Sequence, residues 1–245
     1  MTLLRDQALS AAFDHAAPTY DRLVGANPGY HAQLRRSARR LALPWDGLGM
    51  RLLDLGCGTG ASTAALATAA PLAEIVAVDA SPGMLERAAA KRWSAGVSFV
   101  HARAEELEAA GITGPFDAVF AAYLFRNVTD PDAVLRTVRD LLLPGGRLAV
   151  HEYALGESPA HRAVWRTVCD GIVRPLGALC GDSPLYRHLS LSVRTFDSAQ
   201  AFAGRMARQC FRGVRVLPVP GWQTGIVHTF VGSVPMPTTL PAVAR

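Results

Sequence analysis

The apolar run Leu52-Leu53-Asp54-Leu55 ends in Gly56-Cys57-Gly58-Thr59-Gly60 and is followed by the helix-compatible stretch Ala61 to Ala70. Few chain geometries accept that order. A buried strand must stop at a turn whose glycines tolerate positive φ, and a helix must start at once. Similar apolar runs recur at Glu74–Val78, Val97–Val100, Phe116–Ala121 and Arg147–Glu152. Helical stretches alternate with them at Gly83–Lys91, Ala104–Ala110 and Ala133–Leu142. Strand–helix alternation of this kind predicts an α/β fold around a parallel sheet with crossover helices.

The glycine turn also limits what the chain can bind. Glycines remove side chains where backbone meets a ligand, and N–H groups at a helix start are donors in search of an acceptor. Asp54 stands two residues before the first glycine, where a carboxylate can face the ammonium of an amino-acid-bearing cofactor. A pyrophosphate would be repelled there. Asp79 ends the second strand, where a carboxylate can accept from both hydroxyls of a ribose. A tight turn with a capping aspartate is the plain alternative. A nicotinamide-type site is a second, but its glycine pattern requires Gly where this chain has Ala61.

Half of the 245 residues are hydrophobic and 18% are charged, enough for a large core and too apolar for a disordered chain. The 25 basic and 20 acidic residues give a net charge of +5. The basic residues are dispersed apart from Arg35, Arg36, Arg39 and Arg40, which one-turn spacing predicts as an exposed helical face. A solvated surface is its first reading and an anionic lipid surface the second. Nucleic acid is not expected, because no aromatic interleaving accompanies the cluster. Cys57, Cys169, Cys180 and Cys210 form no C-x-x-C pair, and the histidines lack metal-ligand spacing, so no metal is expected. Without a signal-peptide pattern or a bilayer-length apolar run, the expected place is the cytoplasm, with peripheral membrane contact left open. Monomer and homodimer are both compatible with the sequence.

Three regions are expected. Residues 1–49 form a helical lid, broken near Pro18 and at Gly25 to Gly29 and closed by a loop at Pro44 to Gly49. Residues 50–232 form the cofactor-binding domain, with 154–205 as a helical insertion on the substrate side and strands at Gly213–Pro218 and Gly225–Gly232. Residues 233–245 carry three prolines and read as a loose tail.

Together LLDLGCGTG, VAVDASPGML and LLLPGGRLAV resemble the class I S-adenosylmethionine-dependent methyltransferases. That resemblance implies a Rossmann-like, seven-stranded, mostly parallel sheet with an antiparallel last strand. It also implies S-adenosylmethionine as methyl donor and S-adenosylhomocysteine as product. A narrower resemblance covers residues 11 to 232. FDHAAPTYD (Phe13–Asp21), the stretch Arg126-Asn127-Val128-Thr129-Asp130, Tyr186-Arg187-His188-Leu189 and Gly225-Ile226-Val227-His228 are similar to the C-methyltransferases of ubiquinone and menaquinone biosynthesis. Thr59 and Asp79 match that family's cofactor-contacting residues, and Asp54, Gly56, Cys57, Gly58, Gly60, Ala80 and Met84 are expected beside them at the cofactor. Arg103-Ala104, with Glu105, takes the adenine side, where that family usually has Asn or Asp before the alanine; Ala122 stands where it often has Ser. The chain also departs from that family at Arg22 to Gly25 and at Leu34.

A small-molecule aromatic or quinol acceptor is the implied substrate. Carbon methylation of such a ring needs a neighbouring hydroxyl to shed or share its proton, and a fixed cation such as Arg126 suits the developing phenolate. A salt bridge to Asp130 or Glu152 is the competing role. Asn127 is a candidate to hold a substrate oxygen, against simple turn formation. His151 ends the fifth strand as a candidate general base, against a structural hydrogen bond. Tyr20, Tyr186, Arg187 and His228 are further substrate-side candidates, each with packing as its alternative. Cys57 is given no redox role. Rival activities are O- or N-methylation of a specialised metabolite, cofactor binding without transfer, and non-methyl chemistry with the same cofactor.

Overall fold

The computed structural model describes residues 3–25, 27–94, 96–155, 158–169, 171, 175 and 183–237. The expected tail beyond 237, Cys180 and part of the 154–205 insertion lie outside the described residues. Seven strands form one sheet: β1 (Arg51–Leu55), β2 (Glu74–Asp79), β3 (Val97–His101), β4 (Phe116–Ala122), β5 (Leu142–Tyr153), β6 (Arg212–Pro218) and β7 (Val227–Ser233). Their order is β3-β2-β1-β4-β5-β7-β6, parallel from β3 to β5, with β7 antiparallel to both of its neighbours. This is the sheet that the resemblance implies.

Period-two alternation divides the core between the two faces. Leu52, Ile75, Ala118, Phe120 and Ala149 face helices α2 (Tyr30–Arg39) and α3 (Ala61–Ala69) through Leu34, Ala38, Ala65 and Leu66. Leu53, Val76, Val119, Leu148 and Phe230 face the other way. There they meet Val134, Leu135 and Val138 of α5 (Pro131–Leu141), and Phe202 and Met206 of a later helix, Ala199–Arg208. Helix α4 (Pro82–Ala89) covers the flank beside β3; its cap is Ser81, whose hydroxyl accepts from Met84 N–H. Strand order reverses between β1 and β4, and there the carboxyl ends of the strands open a crevice.

Helix α1 (Asp6–Gly25) lies across that crevice. It continues through Pro18, where the sequence predicts a break. Contacts on both sides of the proline hold the two halves in line: Asp14 accepts from Ser81 Oγ at 2.5 Å and Gly83 N–H at 2.8 Å, while Asp21 accepts from Thr59 Oγ1 at 2.5 Å. A second departure is 104–110, expected as helix but formed as successive turns. Ala104 and Leu107 are drawn into the core, so tertiary burial overrides a modest helical propensity. A third concerns Arg40. It leaves the expected basic face to bond Leu217 O, Pro218 O and Thr229 at the β6–β7 edge, whereas Arg35, Arg36 and Arg39 stay exposed. Helices α6 (Pro159–Val168) and α7 (Ser183–Thr195) fall within 154–205; α8 (Ala199–Arg208) returns to the sheet.

Candidate active site

The glycine turn leaves β1 with φ of +77°, +54° and +90° at Gly56, Gly58 and Gly60. A Cβ at Gly60 would stand 2.7 Å from the Trp93 ring, so both conformation and space require glycine there. Gly56 and Cys57 N–H donate to Val78 O, and Gly58 N–H donates to Asp79 Oδ2 at 2.7 Å. The loop is thereby stitched to β2. Asp79 Oδ1 accepts from Ser81 N–H at 2.9 Å. Burial raises the pKa of this carboxyl, and the N–H donors oppose the rise. Each oxygen keeps acceptor capacity toward the cavity that Asp79 lines.

That cavity is walled by Gly56, Cys57, Gly58, Thr59, Asp79, Ala80, Met84, Arg103, Ala104, Glu105 and Ala122, all named from the sequence as cofactor-side residues. Tyr20, Arg126 and Asn127 also line it. Asp54 does not. It is fully buried behind the loop, its Oδ2 accepting from Ser62 at 2.8 Å and Thr63 at 2.6 Å. Burial pushes its pKa up to about 7, and Oδ1 has no partner among the described residues. Asp54 thus pins the first turn of α3 to β1. The Arg103 guanidinium is bonded to Asp6 and lies 3.6 Å from Glu105 and from Glu106. Lys91 bridges Asp21 at 2.8 Å and Thr59 O at 2.7 Å. Helix α1 is therefore fastened beside the cavity through Asp6, Asp14 and Asp21.

A second, more apolar cavity lies against the first. Its walls come from α1, α2, α6, α7, the ends of β4 and β5 and the connection between β6 and β7, and include Leu23, Tyr153, Trp165, Tyr186, Val193 and Trp222. Tyr20, Tyr30, Tyr123 and Arg126 line both cavities. Arg126 is buried, its Nη1 donating to Glu152 Oε1 at 2.7 Å and Tyr123 O at 2.7 Å. Burial would lower the Arg126 pKa, but the charge and hydrogen bond of Glu152, together with Tyr153 and Tyr20, raise it overall. Its Nε has no partner among the described residues.

The other sequence candidates are dispersed around these walls. Asn127 lines the first cavity and donates to Tyr123 O at 3.1 Å, while its Oδ1 meets His188 Nε2 at 3.1 Å. His151 is fully buried behind Tyr123; its Nε2 lies 2.9 Å from the Tyr123 hydroxyl. Burial, with the charges of Arg40 and His228, pushes its pKa down to about 3, so it is neutral at physiological pH. Tyr186 is buried in the second cavity, and Arg187 is exposed. His228 pairs across the ladder with Glu152 and is nearly buried. Tyr123, Tyr153 and Trp165 are wall residues that sequence reasoning missed. Tyr123 had one usable signal, its place directly after β4 on the carboxyl edge of the sheet. No cluster of metal-ligating side chains occurs among the described residues.

The family model of the ubiE/COQ5 methyltransferase family matches residues 1–232. The chain belongs to the ubiE/COQ5 methyltransferase family. It is an S-adenosylmethionine-dependent methyltransferase. It is 35% identical over 231 residues to the ubiquinone/menaquinone biosynthesis C-methyltransferase UbiE of Syntrophotalea carbinolica, covering 92% of this chain and 93% of that one. It is 34% identical over 200 residues to the demethylmenaquinone methyltransferase of Thermus thermophilus, covering 81% and 90%. Among solved structures, a possible histamine N-methyltransferase of Thermotoga maritima superposes with a TM-score of 0.63 at 20% identity, covering 92% of this chain and 99% of that one. Phosphoethanolamine N-methyltransferase 2 of Haemonchus contortus, in complex with S-adenosyl-L-methionine, superposes with a TM-score of 0.65 at 17% identity, covering 91% and 57%. At these identities the structures agree with this methyltransferase in fold.

The donor set fits the methyltransferase cofactor. Asp79 presents carboxylate oxygens for two vicinal hydroxyls, and Gly56 and Gly58 leave backbone bare at the same wall. Met84, Ala102 and Ala104 supply an apolar surface suited to a flat base.

Proposed function

We propose that this methyltransferase places a methyl group on a ring carbon of a quinol, with the first cavity holding the cofactor and the second the acceptor ring. The observation that carries this reading is the Arg126 Nε–H. It is a charged, buried donor without a partner among the described residues, in a wall common to both cavities. Leaving such a donor unmatched costs on the order of 1–3 kcal/mol, which a substrate oxygen recovers on binding. The acceptor cavity is otherwise aromatic and apolar. Trp165 supplies a second buried donor, its Nε1, with no partner among the described residues. Oxygen-bearing rings match that combination of flat apolar walls and few donors. The substrates named for the two relatives, ubiquinone or menaquinone precursors, agree with it.

Bound S-adenosylmethionine supplies a methyl group already activated on a sulfonium. The protein's task is then to orient the ring and to hold charge. A ring hydroxyl facing Arg126 passes its proton to solvent or to a neighbouring oxygen as its electron pair moves into the ring. The adjacent carbon would form its bond to methyl as the methyl–sulfonium bond breaks, leaving S-adenosylhomocysteine, and the C–H proton would pass to solvent to restore aromaticity. Glu152 neutralises the Arg126 head, so in this reading the unpaired Nε–H is what steadies the phenolate oxygen. Tyr20, Tyr30 and Tyr123 line both cavities, so the methyl would pass between them in this reading.

Cofactor binding by the intact protein is measured by calorimetry with S-adenosylmethionine, and acceptor use by incubation with demethylquinols followed by mass spectrometry. A gain of one methyl on a ring carbon is expected. Methyl found on oxygen, or on none of the quinols, would reject the reading.

A further inference from the structure

A chain of polar groups runs behind the wall shared by the two cavities. Arg40 Nη1 donates to Thr229 Oγ1 at 2.7 Å. Thr229 Oγ1 lies 2.6 Å from Ser37 Oγ, and Ser37 Oγ lies 2.7 Å from His151 Nδ1. His151 Nε2 lies 2.9 Å from the Tyr123 hydroxyl. Ser37, Thr229 and His151 are all fully buried. The members come from α2, β7, β5 and the exit of β4, so only the folded chain assembles them.

The direction of the hydrogens follows from the Arg40 end. A guanidinium donates and never accepts, so the Thr229 hydroxyl receives a bond there. Its own hydrogen has one acceptor among the described residues, Ser37 Oγ. Ser37 must then donate onward to His151 Nδ1. Burial keeps His151 neutral, so the ring hydrogen sits on Nε2 and is donated to the Tyr123 oxygen. The Tyr123 O–H is left as the hydroxyl hydrogen of the chain without an acceptor among the described residues. The opposite order would strand the Thr229 hydrogen in a fully buried position, which is costly.

Tyr123 is fixed from its other side as well. Its φ is +57°, in the left-handed region that side chains rarely adopt. Its carbonyl accepts from Arg126 Nη1 and Asn127 Nδ2, and its ring stacks on Tyr30 with an interplanar angle of 13°. Backbone strain of this kind persists only where surroundings hold it, and it often marks a working position.

We propose that this chain presets the Tyr123 hydroxyl to donate a hydrogen bond to an oxygen of the bound methyl acceptor, with Ser37 and His151 as positioning residues. The assignment of the acceptor to the second cavity rests on the function proposed above; the direction of the hydrogens does not. An acceptor with an oxygen lone pair at that point is favoured, and one offering only N–H or O–H donors there is not.

Two measurements on the intact protein test this. The first is nitrogen-15 NMR of the histidine rings, with His151 assigned by the signal lost in His151→Gln. The neutral Nε2–H tautomer is expected between about pH 6 and 8. A neutral Nδ1–H tautomer or a charged ring would overturn the proposal, whether or not any quinol is methylated. The second is a double-mutant cycle on turnover of the methylated quinol. Tyr123→Phe should lower kcat/KM by about tenfold or more with affinity for S-adenosylmethionine unchanged. Ser37→Ala should cause a smaller loss alone and none in the Tyr123→Phe background. Additive losses would mean that Ser37 serves packing only. Full activity of Tyr123→Phe would equally overturn the assignment.

Discussion

Arg126 Nη1 and Glu152 Oε1 lie 2.7 Å apart in a buried pair, joining the loop after β4 to the end of β5. Taking both charges out of water gains little net stability, but losing one partner leaves the other buried alone. Glu152→Ala should therefore destabilise the protein by roughly 3–5 kcal/mol, read as a drop in denaturation midpoint. Arg126→Ala should lower turnover far more than it lowers affinity for S-adenosylmethionine. Equal loss of both would make Arg126 a structural residue alone.

Asp79 holds Gly58 and Ser81 by their N–H groups and also lines the cofactor cavity. Asp79→Ala should weaken S-adenosylmethionine binding by roughly ten- to hundredfold, the effect of about 1–3 kcal/mol of lost hydrogen bonding. Isothermal calorimetry checks this. Unchanged affinity would remove Asp79 from the site.

The pH dependence of stability should be set from two sides. Burial, followed by the Arg40 and His228 charges, lowers the His151 pKa from 6.5 to about 3. Burial, followed by Arg126 and Arg5, lowers the His188 pKa to about 4. Both depressed bases contribute stability that is present above 6.5 and lost as pH falls toward those values. Asp54 acts oppositely. Its pKa is raised from 3.8 to about 7, so its contribution is present below 3.8 and lost as pH rises through about 7. His151→Gln should flatten the acid limb of a melting-temperature profile, and Asp54→Asn should remove part of the decline toward neutrality. Unaltered slopes in both variants would contradict these assignments.

Gly60 combines a φ of +90° with a Trp93 ring atom 2.7 Å from where a Cβ would stand. Gly60→Ala should cost about 1–2 kcal/mol from backbone conformation and a further 1–3 kcal/mol from crowding. Thermal denaturation reads the sum, and a loss below about 1 kcal/mol would show that Trp93 yields freely.

Much of the frame could be read from sequence because it depends on local chemistry. The run Leu52 to Leu55 is bounded by glycines whose φ values only that residue accepts readily, and β1 spans Arg51–Leu55 as its apolar pattern predicts. The alternation of Leu52 and Leu53 between the two faces follows from strand period alone. The helix expected at 104–110 failed because Ala104 and Leu107 are claimed by a distant core. The break expected at Pro18 is absent because the contacts that carry α1 through it lie on the glycine loop after β1 and at the cap of α4. The spacing of Asp54 predicts a cofactor-facing carboxylate, yet hydroxyls eight and nine residues onward turn it into the helix start. The acceptor walls were the least legible part. Tyr123, Tyr153 and Trp165 come from three separate segments, and one sequence gives no sign that they converge.

The acceptor reading is tested most directly by supplying the intact methyltransferase with a demethylquinol and S-adenosylmethionine carrying a carbon-13 methyl group, then locating the label by NMR. A methyl resonance on a ring carbon of the quinol is the predicted result. A label on oxygen, or none transferred by a protein that binds the cofactor, would contradict it.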